Sequence, residues 1–140
     1  MTVPTWMRNA LYATGVMNLL AAPGFLPAAG ALRDLAGLPS PAGHPLYPSM
    51  VALFVLLFGI GYLWSAYAGR ADPIFIAIAA AGKIGFVAML VWFWAAGDLP
   101  FRAPLAGSPD LLFGAIFLTW LRGAGRPATA SRLSSSHVSG

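Results

Sequence analysis

One long apolar stretch constrains this chain more than any other feature. It runs from Pro73 to Gly97 and carries a single charge, that of Lys83, which is the only lysine in the sequence. A membrane-spanning helix needs about 20 predominantly apolar residues, so the stretch is typical of one, with the ammonium group near the bilayer midplane. A cation at that depth costs at least a few kcal/mol unless other groups solvate it. The fold must therefore bring polar groups from other helices to Lys83.

The composition indicates an integral membrane protein. Hydrophobic residues make up 59% of the 140 residues and charged residues only 9%, whereas soluble domains carry about 25% charged residues. The absence of cysteine excludes disulfides, thiolate metal sites and cysteine nucleophiles. The basic residues are scattered singly between apolar stretches, which is not the clustered pattern of a nucleic-acid-binding surface.

Four apolar stretches predict an all-α bundle of four transmembrane helices over residues 1–122. We expect helices at about 6–22, with a kinked extension to 32 caused by Pro23 and Pro27, and at 47–68, 73–97 and 109–122. The short fourth helix is expected to begin at Ser108-Pro109-Asp110, which suits an N-cap, a first helical position and an acidic first turn. Residues 123–140 are rich in Gly, Ser and Ala, which predicts a disordered cytoplasmic tail.

The arginines predict the orientation of the bundle. With four spans both termini lie on one side, which would carry Arg8, Arg70, Arg122, Arg126 and Arg132 against Arg33 and Arg102 opposite. The positive-inside rule therefore predicts that both termini lie in the cytoplasm. A rival interpretation makes residues 1 to about 30 a cleaved signal peptide, and N-terminal sequencing would distinguish the two.

Small residues predict which helices pack closely. Helix 47–68 has Gly61 and Ser65 on one face, and helix 73–97 has Ala77, Ala81 and Gly85 at the same spacing. Small residues four apart allow helices to approach closely in membranes. We therefore expect these two helices to form a tight antiparallel hairpin. Bulky side chains are expected to fill the half of the bundle furthest from the connecting turn: Phe54, Leu57, Phe58, Phe86 and Met89.

Helical rise predicts which polar groups reach Lys83. At 1.5 Å per residue, Lys83 and Asn18 each lie roughly 15 Å from the cytoplasmic side, and Tyr62 lies about 10 Å from it. Asn18 and Tyr62 could therefore offer oxygen acceptors to the Lys83 ammonium. Asp110 would make a direct ion pair, but a helix starting at Ser108 leaves it more than about 10 Å away along the bilayer normal, so the pair is the less favoured outcome. Alternatively, Lys83 could extend its amine to water unaided.

Four short segments resemble small bacterial inner-membrane proteins of the DoxX-like kind. They are Gly15-Val16-Met17-Asn18-Leu19, Phe58-Gly59-Ile60-Gly61-Tyr62-Leu63, Gly82-Lys83-Ile84-Gly85-Phe86 and Asp110-Leu111-Leu112-Phe113. The resemblance covers residues 11 to 121 and implies a four-helix bundle in which the Asn, Tyr, Lys and Asp form a set. The association of DoxX-like proteins with redox systems does not extend to this chain, because it has no redox-active residue.

The sequence leaves three functions open. The first is binding of an amphiphile, a lipid or a quinone, by Lys83, Asn18, Tyr62 and Asp110. The second is an accessory or assembly subunit that docks a membrane protein partner or another copy of itself. The third is proton or ion passage through Lys83 and Asp110. Catalysis is least supported, since motifs for hydrolysis or phosphate binding are missing, and no metal site or cofactor is expected.

Overall fold

The computed structural model describes residues 1–124, so nearly all of the predicted tail, 125–140, lies outside the described residues. The described part is helical and has no strands beyond one isolated bridge, Thr2 to Arg70. Three helices are long and apolar enough to cross a membrane, or four if one bent pair counts as a single span. The elements are α1 (Thr5–Ala21), a 3-10 turn (Ala22–Phe25), α2 (Gly30–Ala36), α3 (Leu46–Ala68), α4 (Pro73–Ala95) and α5 (Arg102–Ala124).

Local signals fix the tight connection between α3 and α4. Gly69 ends α3 with a φ of 63°, a left-handed conformation that glycine adopts without strain. Asp72 then caps α4, because its carboxylate accepts hydrogen bonds from the backbone N–H groups of Ile74 and Phe75 at 2.7 and 3.2 Å. We call this end of the bundle the turn end. The opposite end, which carries residues 22–45 and 96–101, is the loop end.

The bend after α1 is sharper than the predicted kink. The chain passes through the 3-10 turn, which contains Pro23, and α2 departs at 115° from α1. Residues 30–36 therefore form a separate short helix, where the sequence predicted a kinked extension of the first helix to residue 32. Gly37 ends α2 with a φ of 72°.

The predicted start of the last helix was wrong. Helix α5 begins at Arg102, so Pro109 lies inside it and Ser108 is not its N-cap. A proline within a helix removes one hydrogen bond and costs roughly 3 kcal/mol. Packing of the preceding turns against α4 opposes that cost: Ala103 is fully buried, and a Cβ on Gly107 would lie 2.7 Å from Leu90. These early turns therefore stay helical despite the proline.

The bundle consists of two closely packed helix pairs, α1 with α3 and α4 with α5. Gly15 and Gly59 face each other in the first pair, since a Cβ on either would lie 3.2 Å from the carbonyl oxygen of the other. In the second pair, a Cβ on Gly114 would lie 2.7 Å from Ile84. Glycine thus sets the closest approach in both pairs.

The predicted tight hairpin of α3 and α4 was wrong. Gly61 faces the ring of Phe75, and nothing lies within 4 Å of a Cβ placed on Gly85. The rings of Phe58 and Phe75 stack between the two helices with their centroids 5.8 Å apart. Aromatic side chains therefore separate the two pairs, and small residues do not join them.

A compact core closes the turn end. Its largest fully buried side chains include Met7, Leu11, Tyr62, Ile76 and Phe117. The first residues of the chain also lie there, because the backbone N–H of Ala71 donates to the carbonyl of Met1 at 2.9 Å. This core fills the turn end, so the open space between the helix pairs lies nearer the loop end.

Candidate functional site

A cavity of about 530 Å³ lies between the helix pairs, from Tyr62 to the loop end. Ligand pockets in proteins commonly measure about 300 to 1,000 Å³ and are mostly apolar with a few polar groups. This one is lined by every helix and opens to the surface. The prediction that bulky residues fill this half was wrong: Phe54, Phe58 and Phe86 line the cavity, and Met89 is 56% exposed.

Lys83 lies against the cavity and is 6% exposed. Its ammonium donates to the carboxylate of Asp110 and, at 3.3 Å, to Oδ1 of Asn18. The Asn18 amide in turn donates to the backbone carbonyl of Val55 at 3.3 Å. Asn18 therefore links α1, α3 and α4 at this level, and the predicted contact between Asn18 and Lys83 is present.

The direct ion pair between Lys83 and Asp110 forms, although the sequence argument disfavoured it. The reason is the early start of α5. Asp110 follows Arg102 by two turns, which places it about 12 Å into the helix instead of at its first turn. Asp110 is 22% exposed and lines the cavity, so the pair is buried on the lysine side and more open on the carboxylate side.

Tyr62 contacts Lys83 through its ring. The ammonium lies 5.6 Å from the Tyr62 ring centroid and 5.7 Å from that of Phe113, within the range of cation–π interactions. Among residues 1–124 no hydrogen bond joins the Tyr62 hydroxyl to Lys83, so its predicted role as an oxygen acceptor was wrong. Phe113 was missed as a partner, although it follows Asp110 by three residues and helical spacing puts both on one face.

Arg33 lines the cavity although no sequence pattern indicated it. It was predicted only as a loop charge, yet it is 7% exposed and lines the cavity near the loop end. Its guanidinium donates to the carbonyls of Leu26, Pro27 (3.0 Å) and Gly24 (3.5 Å), while Nε has no hydrogen-bond partner among the described residues. Pro23 and Pro27 predict the turn whose carbonyls accept these hydrogen bonds. The contact of that turn with Arg33 depends on the 115° bend, which the sequence does not predict.

The charges of the cavity do not cancel. Its charged residues are Arg33, Lys83 and Asp110, and the one ion pair within residues 1–124 joins the last two. One positive charge, on Arg33, is therefore left without a carboxylate. In the same residues no group of three His, Cys, Asp or Glu side chains lies close enough to hold a metal ion.

Comparison with known proteins identifies no relative of this chain. No protein family matches the chain, and no curated protein or solved structure is significantly similar to it. The resemblance to DoxX-like proteins therefore stays a prediction, and functional inference depends on the cavity.

Proposed function

We propose that this is a multi-pass protein of the bacterial inner membrane, with both termini in the cytoplasm, that binds an amphiphile in the cavity. Large apolar side chains on the outward faces support membrane insertion, since Leu53, Ile60 and Trp64 of α3 are 51%, 48% and 72% exposed. Exposed apolar patches of this kind mark contact with lipid or another protein. The distribution of arginines supports the orientation.

The observation that carries the proposal is an ion pair at the inner part of an open apolar cavity. A lysine ammonium has three hydrogen-bond donors, and Lys83 directs two of them at Asp110 and Asn18. One oxygen of the Asp110 carboxylate has no protein partner within residues 1–124. The pair thus has one free donor and one free acceptor and carries no net charge. A carbonyl group of a lipid or quinone could accept from the donor, and a hydroxyl group could bond to either.

The other predicted residues support the pair in this proposal. Asn18 holds the Lys83 ammonium toward Asp110, and the rings of Tyr62 and Phe113 lie within cation–π distance of it. The apolar walls formed by Phe54, Phe58 and other side chains would hold the hydrocarbon part of the ligand. The site then needs no catalytic residue and no cofactor.

Removal of the pair tests the proposal. The double variant Lys83→Met/Asp110→Leu deletes both charges together, so that neither is left buried alone. We expect the double variant to fold. It should lose any lipids that co-purify with the wild-type protein, and it should no longer bind added quinone or monoacylglycerol. Native mass spectrometry in a mild detergent measures both. Arg122→Gln, which removes an exposed arginine outside the cavity, is the matched control.

A folded double variant that keeps its lipids and still binds the added ligands would contradict the proposal. An accessory-subunit role would instead give a stoichiometric protein partner in a mild-detergent pull-down, with no ligand in the cavity. Ion passage through Lys83 and Asp110 gains less support, because the large side chains of Tyr62, Phe117 and Leu11 are fully buried toward the turn end.

A further inference from the structure

The second buried cation of the cavity identifies a ligand class. We infer that the amphiphile is an anionic glycerolipid, with its phosphate at Arg33 and an ester carbonyl at the Lys83–Asp110 pair. This inference depends on the proposed function, because it concerns the same cavity. It favours lipid over quinone, which is uncharged.

Arg33 is a buried cation in the cavity that an anionic ligand could neutralise. It is more than nine-tenths buried, and no carboxylate among residues 1–124 lies within ion-pair distance of it. Its hydrogen bonds to three carbonyls hold the turn after α1, but carbonyl dipoles do not neutralise a full charge. Burial of a charge without an opposite charge is costly, so an anion in the cavity would lower the free energy of this arrangement.

The guanidinium keeps an unused donor for an oxyanion. Nη2 donates one of its two hydrogens to Pro27, which leaves the second. Nε also has no acceptor among residues 1–124, but it is buried away from the cavity surface. A phosphate oxygen at the second Nη2 hydrogen would make a charge-assisted hydrogen bond.

The distance between the two polar positions selects a glycerolipid. Arg33 contacts the carbonyl of Gly24, six residues beyond Asn18, which contacts Lys83. At 1.5 Å per residue this path gives a separation on the order of 10 Å. A glycerolipid carries a phosphate and an ester carbonyl on one short backbone. A fatty acid lacks the second group, and inorganic phosphate lacks the chain.

Two matched ligands test the inference. 1-Oleoyl lysophosphatidate and 1-oleoyl glycerol share the chain and the ester and differ in the phosphate. We expect the full-length protein in non-ionic detergent to bind lysophosphatidate about 10-fold or more tightly, since hydrogen bonds to charged groups contribute roughly 1.5 to 3 kcal/mol. Native mass spectrometry gives both affinities. Inorganic phosphate at millimolar concentration should not displace lysophosphatidate.

Variants of Arg33 separate recognition from structure. Arg33→Gln is expected to bring the ratio of the two affinities close to one. Arg33→Lys is expected to give an intermediate ratio, because lysine keeps the charge but lacks the planar guanidinium. If Arg33 served only to hold the turn, both ligands would weaken together and the ratio would not change. An unchanged ratio, a wild-type ratio near one, or displacement by inorganic phosphate would each overturn the inference.

The inference can fail while the proposed function stands. Equal binding of the two ligands, lost in Lys83→Met/Asp110→Leu, would keep the amphiphile site and remove the anionic class. Failure of the wild-type protein to bind either ligand would remove both.

Discussion

The ion pair of Lys83 and Asp110 predicts an asymmetric response to mutation. Lys83 is 6% exposed, and Asp110 is 22% exposed beside an open cavity. Asp110→Leu would leave the lysine buried with Asn18 as its remaining oxygen partner, and loss of one partner from a buried pair costs about 3 to 5 kcal/mol. Lys83→Met would leave a carboxylate that water in the cavity can reach, so we expect a smaller loss of about 1 to 2 kcal/mol.

The double variant completes the argument. Lys83→Met/Asp110→Leu removes both charges and replaces them with apolar side chains, and such replacements of buried pairs are often close to neutral. We therefore expect a free energy of unfolding within about 1 kcal/mol of wild type. The coupling energy between the two sites would then be at least about 3 kcal/mol, near the upper end for residues in contact.

Unfolding by sodium dodecyl sulfate in mixed micelles, followed by far-ultraviolet circular dichroism, measures these free energies. Arg122→Gln is the control for loss of an exposed charge and should change stability by about 0.5 kcal/mol or less. Additive effects in the double variant would refute the reasoning, because the two residues would then act separately. A loss below about 1 kcal/mol in Asp110→Leu would equally show that Lys83 reaches water unaided.

Two further predictions concern packing and orientation. Gly59→Val should destabilise the α1–α3 pair by about 1 to 3 kcal/mol in the same unfolding assay, because even a Cβ there would lie 3.1 Å from Asn18; Gly85→Ala, where a Cβ meets nothing within 4 Å, is the control and should be neutral or stabilising. The chain has no cysteine, so single cysteines report orientation without background: His44→Cys should react with an impermeant maleimide in spheroplasts, and Arg122→Cys only after permeabilisation. The reverse labelling pattern would contradict the proposed orientation.

Local patterns allowed much of the helical structure to be predicted. Asp72-Pro73 marks the start of α4 and Gly69 marks the end of α3. Both signals are readable in the sequence because helix capping and left-handed turns depend on the residues at the helix terminus itself. The same local logic failed at Ser108-Pro109-Asp110. Those residues are well suited to begin a helix, yet packing of Ala103 and Gly107 against α4 keeps the preceding turns helical.

Hydrophobicity and helical period are properties of short segments, so they were enough to predict apolar helices and a lysine at position 83 that needs polar partners. The identity of those partners depends on how the helices pack. The depth of Asp110 depends on where α5 begins, and the burial of Arg33 depends on the bend after α1. Both are set by contacts between helices that are distant in sequence, since the free energy that holds them comes from packing and is not encoded in any single segment.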